Sequence, residues 1–162
     1  MGLDASQFLG APQLAAVKVN PPGLGKTVMA RTMHTQVGTG LAAVAVSALA
    51  DAAVQTRLQR SAQQQRDAAA ESSAPSFAKI ALLAVTSGEI ALIQVDARTT
   101  LKLTGVVLAR MPRSEVVSFE LGKTKPLLAK PLTVTFRSGE RWIFEVSAAC
   151  KRGARSIAAV LA

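Results

Sequence analysis

The chain has 162 residues, 49% of them hydrophobic, with a formal net charge of +9. That length holds one core of ordinary size, and that apolar content excludes a disordered chain. A single Cys and a single His exclude an internal disulfide framework and a zinc site with the usual ligand count.

Residues 3–16 are predicted to form a short helix or loop, with Asp4 as a candidate N-cap. Leu14 to Val19 can form a brief strand, and Pro21-Pro22-Gly23 then breaks the chain. The first ten residues carry Asp4 and no basic run, so no secretory signal is expected. Met1-Gly2-Leu3-Asp4-Ala5-Ser6 matches the N-myristoylation pattern in form alone.

From Lys26 to about Glu71 the pattern is helical, and Gly38 and Gly40 divide it into two helices. Residues 55–71 are polar on nearly all sides and read as a solvated helix or spacer. Thr32 to Ala50 holds no Asp, Glu, Lys or Arg over nineteen residues. Its apolar part, Val37 to Ala50, is only fourteen long, whereas a spanning helix needs about twenty. A helix buried against protein is therefore the favoured reading and a membrane helix the competing one. Gly38, Gly40, Ala42, Ala43 and Ala45 suit close helix–helix approach in either setting. Ser72 to Ser76 read as a linker. The expected organisation is an α-rich segment over 1–71, serving as tether or oligomerisation element, a linker over 72–76, and a second unit over 77–162.

That second unit reads as strands near 77–86, 89–96, 101–111, 115–122, 131–137 and 140–147. The clearest signal runs from Leu132 to Val146. Leu132, Val134 and Phe136 alternate with Thr133, Thr135 and Arg137, and Trp142, Phe144 and Val146 alternate with Arg141, Ile143 and Glu145. With Ser138-Gly139 between them, this is a hairpin with one buried face. Ala148 to Ala162 is expected to be a helix with Ala154, Ile157, Ala158 and Leu161 on one face. Lys151, Arg152 and Arg155 crowd its start, where positive charge opposes the helix dipole. Those residues are selected for another reason, or the helix begins later.

Thirteen basic and six acidic residues fall in 77–162, against six and four in 1–76. The basicity therefore belongs mostly to the strand-rich half, where it serves either to draw anionic partners or only to keep the protein soluble. No surface run interleaves aromatics with Arg or Lys, so nucleic acid is the weaker choice.

The stretches GEIALIQVD at 88–96, VVLARMPRSEVVSFEL at 106–121 and LTVTFRSGERWIFEV at 132–146, followed by a terminal helix, carry a resemblance. This half resembles the bacterial pleckstrin-homology-like (PH-like) domain. The resemblance implies an α+β fold, in which a bent antiparallel β-barrel is capped at one open end by its C-terminal helix. It also implies a binding role. The phosphoinositide site of eukaryotic relatives uses basic residues in the first strand–strand loop. Reading that loop as Ser87-Gly88-Glu89, which holds no Lys or Arg, removes that site. Trp142 departs too, lying on a strand where those relatives carry a Trp in the final helix.

Between the fourth and fifth of these strands, Lys123, Lys125 and Lys130 surround Leu127-Leu128. Lysines beside an apolar pair suit an anionic membrane surface or an acidic protein. The competing reading, which is the favoured one, is an ordinary solvated loop with Leu127 and Leu128 turned inward. Arg110 and Arg113, flanking Pro112, are expected to join the same rim.

Asn20 to Thr27, NPPGLGKT, resembles a P-loop. Gly23 and Gly25 would turn N–H groups toward phosphates, Lys26 would reach them and Thr27 would bind Mg²⁺. Asn20 stands where the first Gly belongs, and Asp96 is the sole candidate for a Walker-B carboxylate. No parallel β/α pattern follows. Nothing pairs two carboxylates or builds a nucleophile–His–acid set. The expectation is a non-enzymatic binding or scaffolding module without cofactor. Its expected partner is a protein or an anionic lipid surface, with self-association through 32–50, in a reducing, cytoplasmic setting with or without membrane attachment. Nucleotide binding through NPPGLGKT and a structural oligomer held by 32–50 are the alternatives.

Overall fold

The structure is a computed structural model that describes residues 3–22, 59, 63, 67, 70–77, 79–96, 102–123 and 129–162. The expected helix at 32–50, most of the rest of the expected helical stretch over 26–71, and Leu127-Leu128 lie outside these residues. Positions 59, 63, 67, 70 and 71 are helical and exposed. Among the described residues, no helix is long and apolar enough to cross a membrane.

Two antiparallel sheets and a terminal helix make up the rest. The strands are β1 (Ala15–Val19), β2 (Ala81–Val85), β3 (Glu89–Asp96), β4 (Lys102–Pro112), β5 (Val116–Leu121), β6 (Lys130–Phe136) and β7 (Arg141–Val146). A short helix α1 (Ser6–Leu9) precedes them and α2 (Lys151–Leu161) follows. The sheet orders are β1-β2-β3-β4 and β5-β6-β7.

The period-two hairpin is in register. Leu132 faces Phe144 and Val134 faces Trp142, and all six apolar residues of the β6 and β7 pattern are buried. Gly139 takes φ +90 in the turn, a conformation that only glycine adopts cheaply, and its N–H donates to the Phe136 carbonyl. Trp142 packs edge-on against Phe136 at 4.7 Å, a geometry that adds to the area term.

The barrel expectation needs correction. The sheets are not closed: β1 and β7 meet at one bridge, Asn20 to Glu145, and no ladder joins β4 to β5. The expected strand at Leu14 to Val19 is β1, and it pairs along its whole length with β2, from Ala15 opposite Val85 to Val19 opposite Ala81. The strand-rich unit therefore includes a strand from before the 72–76 linker. Ser87-Gly88-Glu89 joins the second and third strands, and the first connection runs from Asn20 to Ile80.

One core lies between the sheets and under α2, and includes Val17, Leu83, Leu92, Phe136, Phe144 and Ile157. The outer face of the four-stranded sheet is buried as well. Leu82, Ala84, Ala91, Ile93 and Val95 lie beneath Leu3, Ala5 and Leu9. This strap is held by polar bonds. The Gln13 amide accepts from the Ala5 N–H and donates to the Leu3 carbonyl, and the Gln13 N–H donates to the Ser6 hydroxyl. Asp4 accepts from the Ser6 N–H and hydroxyl, although the α1 cap position itself is Ala5.

Helix α2 crosses the edge of β1. A Cβ on Gly153 would sit 2.5 Å from the Ala16 carbonyl oxygen, so a glycine is what allows this approach.

Candidate binding surface

The end of the three-stranded sheet where β5 stops and β6 starts holds two of the three expected lysines, Lys123 and Lys130. The Gly122 N–H donates to the Pro131 carbonyl, which sets Lys123 across from Lys130. Lys130 in turn pairs with Val146 at the end of β7. Ser147 and the 3-10 turn Ala148–Cys150 then lead directly into Lys151. Lys123 and Arg152 are exposed, and Lys130 and Lys151 are half-buried.

Sequence reasoning singled out Lys151 and Arg152 as ill-placed for the dipole without assigning them to this surface. The helix does not begin later: it starts at Lys151, with no acidic residue in its first turn and no side-chain cap. The signal that could have placed them is this cost itself, because charge set against a macrodipole is there for another interaction.

Arg110 and Arg113 are elsewhere. They precede β5, whereas Lys123 follows it, and six residues of strand separate the two ends by about 20 Å. Arg110 is paired with Glu89 at 3.4 Å and donates to the Phe8 carbonyl at 2.9 Å, fastening the N-terminal strap. The Arg113 guanidinium donates to the Val160 carbonyl in the last turn of α2, where a cation complements the dipole. Both arginines therefore have roles within the fold. Lys125 lies outside the described residues, as do Gly23, Gly25, Lys26 and Thr27. The strand before that glycine stretch is antiparallel to its neighbour, unlike the central strand of a parallel P-loop sheet.

Among the described residues, Arg110 to Glu89 is the only ion pair, so Lys123, Lys130, Lys151 and Arg152 have no acidic partner there. None of these four residues lines either of two described hollows, although Cys150 and Gly153, which flank Lys151 and Arg152, line one of them. One of about 440 Å³ beside the β2–β3 turn is lined by Leu9, Gly88, Glu89, Arg110 and Met111. Another of about 220 Å³ is lined by Gln13, Lys18, Cys150 and Gly153. No group of three His, Cys, Asp or Glu that could hold a metal occurs among the described residues. A cluster of like charges such as Lys123, Lys130, Lys151 and Arg152 attracts anions by its summed field.

Comparison with protein-family models, characterised proteins and solved structures returned no match.

Proposed function

We propose that the chain is a non-enzymatic PH-like binding module that recognises an anionic membrane surface or an acidic protein through its basic end. The observation that carries this reading is that Lys123, just past β5, lies across from Lys130, and that Lys151 follows closely on Val146, the partner of Lys130, with no acidic partner for any of the three among the described residues. The strand order, four then three, and a terminal helix packed over the core support the PH-like reading. Lysines with no acidic partner among the described residues gain when a dense anionic surface replaces their counterions.

The test is sedimentation with vesicles of phosphatidylglycerol and phosphatidylcholine over a salt series. Each lysine near such a surface contributes about 1 kcal/mol. Alanine at Lys123, Lys130 and Lys151 together then lowers partitioning roughly 100-fold. Binding should also fade as the screening length shrinks to about 8 Å at physiological salt. Protein that stays in the supernatant at low salt would refute the membrane arm. The acidic-protein arm predicts instead capture by an acidic polypeptide that the triple variant loses.

A further inference from the structure

The edge of β7 that faces away from β6 is covered by two pieces of chain that are distant in sequence. At Glu145 the cover is Asn20, whose N–H donates to the Glu145 carbonyl at 2.8 Å and whose carbonyl accepts from the Glu145 N–H at 2.9 Å. Next along the edge, the Ser72 hydroxyl accepts from the Ile143 N–H at 3.0 Å. At Arg141 the Ser73 N–H donates to the carbonyl at 2.8 Å, and the Ser73 hydroxyl accepts from the N–H at 3.0 Å.

The order is informative. As numbers rise from Asn20 to Ser72 to Ser73, the partners fall from Glu145 to Ile143 to Arg141. Both pieces therefore run antiparallel to β7, in one lane and in one direction. Asn20 and Ser72 address positions two residues apart, about 7 Å along a strand. A chain continuing straight on from Asn20 would need one residue to reach the place that Ser72 occupies. Instead, fifty-one residues intervene, Pro21 to Glu71.

We infer that residues 21–71 are an insertion that interrupts a strand lane, and that the two-sheet scaffold folds without them. This goes beyond the binding reading and holds whatever the scaffold binds. A long excursion whose ends meet costs little more in closure entropy than a short one, and ends fixed side by side make removal compatible with the native edge. The composite lane also keeps the β7 edge paired, where an open edge would invite another strand.

Two measurements test this. Trypsin has sites at Lys26, Arg31, Arg57, Arg60 and Arg66 in the excursion. Limited digestion of the full chain should give a nicked protein that keeps its gel-filtration volume and separates only in denaturant. Two deletion variants then replace 21–71, one with a single glycine and one with five Gly/Ser residues. At least one should unfold cooperatively, within about 10 °C of the full chain. It should also retain buried Trp142 emission and slow amide exchange at Arg141, Ile143 and Glu145. Dissociation of the nicked chain in native buffer would overturn the inference, as would loss of cooperative unfolding in both deletions.

Discussion

Replacing Gly153 with alanine separates two physical effects of opposite sign. In a helix interior, alanine is favoured over glycine by about 1 kcal/mol, so an isolated α2 would be strengthened. In the folded protein the new Cβ would lie 2.5 Å from the Ala16 carbonyl oxygen and 3.3 Å from the Val17 Cα. Neither neighbour is a flexible side-chain tip: both are fixed by the pairing of Ala16 with Ala84 and Val17 with Leu83. The helix must therefore lift from β1, which loosens Ala154 and Ile157, both fully buried. Forced overpacking of this kind costs about 1–3 kcal/mol. Lost contact at Ile157 adds to it, because full burial of such a side chain is worth about 1.5–3 kcal/mol. The net expectation is a loss of about 2 kcal/mol, or a Tm lower by about 4–8 °C for a chain of this length. Thermal unfolding by circular dichroism measures it. Ser156→Ala, at an exposed position on the same helix, controls for propensity and should change stability by less than about 0.5 kcal/mol. A Gly153→Ala protein as stable as wild type, or more so, would refute the close approach of α2 to β1.

Thr86 is a buried polar residue whose hydroxyl accepts from the Gly88 and Glu89 N–H groups in the β2–β3 turn. Thr86→Val should cost about 1–2 kcal/mol by leaving these donors to solvent, and Thr86→Ser should recover most of it in a urea titration. Hydrogen bonds from the Ser6 hydroxyl and then its N–H hold the Asp4 carboxyl below its usual value of 3.8. A pKa depressed by folding adds stability above the unfolded value, and that stability is lost as pH falls through the folded one. The strap over the four-stranded sheet should therefore loosen below about pH 4. The Ser6 amide resonance should titrate with a midpoint below 3.8 in the wild type, and Asp4→Asn should abolish the titration.

The candidate surface was legible in part. Lys123 and Lys130 sit where a turn between strands must fall, and the hairpin pattern located that turn. Pro112 marks a strand end as well, which is all that the sequence offers for joining Arg110 and Arg113 to them. A sequence does not say which end of a sheet a given turn occupies, and two turns separated by one strand lie at opposite ends. The acceptors that hold the arginines, the Phe8 and Val160 carbonyls, are also remote in sequence, so no local pattern announces them.

Local patterns are sufficient where one face of an element is buried and the other is wet. Alternation then fixed the β6–β7 register and the inward face of α2 at Ala154 and Ile157. Only the tertiary structure decided where β1 belongs and what the N-terminal residues do. Ala81 to Val85 is buried on both faces, so its run of apolar residues has no period to read. Its outer cover, Leu3 to Leu9, comes from more than seventy residues away. The partner strand β1 likewise lies across a long excursion, and pairing between strands is set by the shared core, which a sequence read in order does not display.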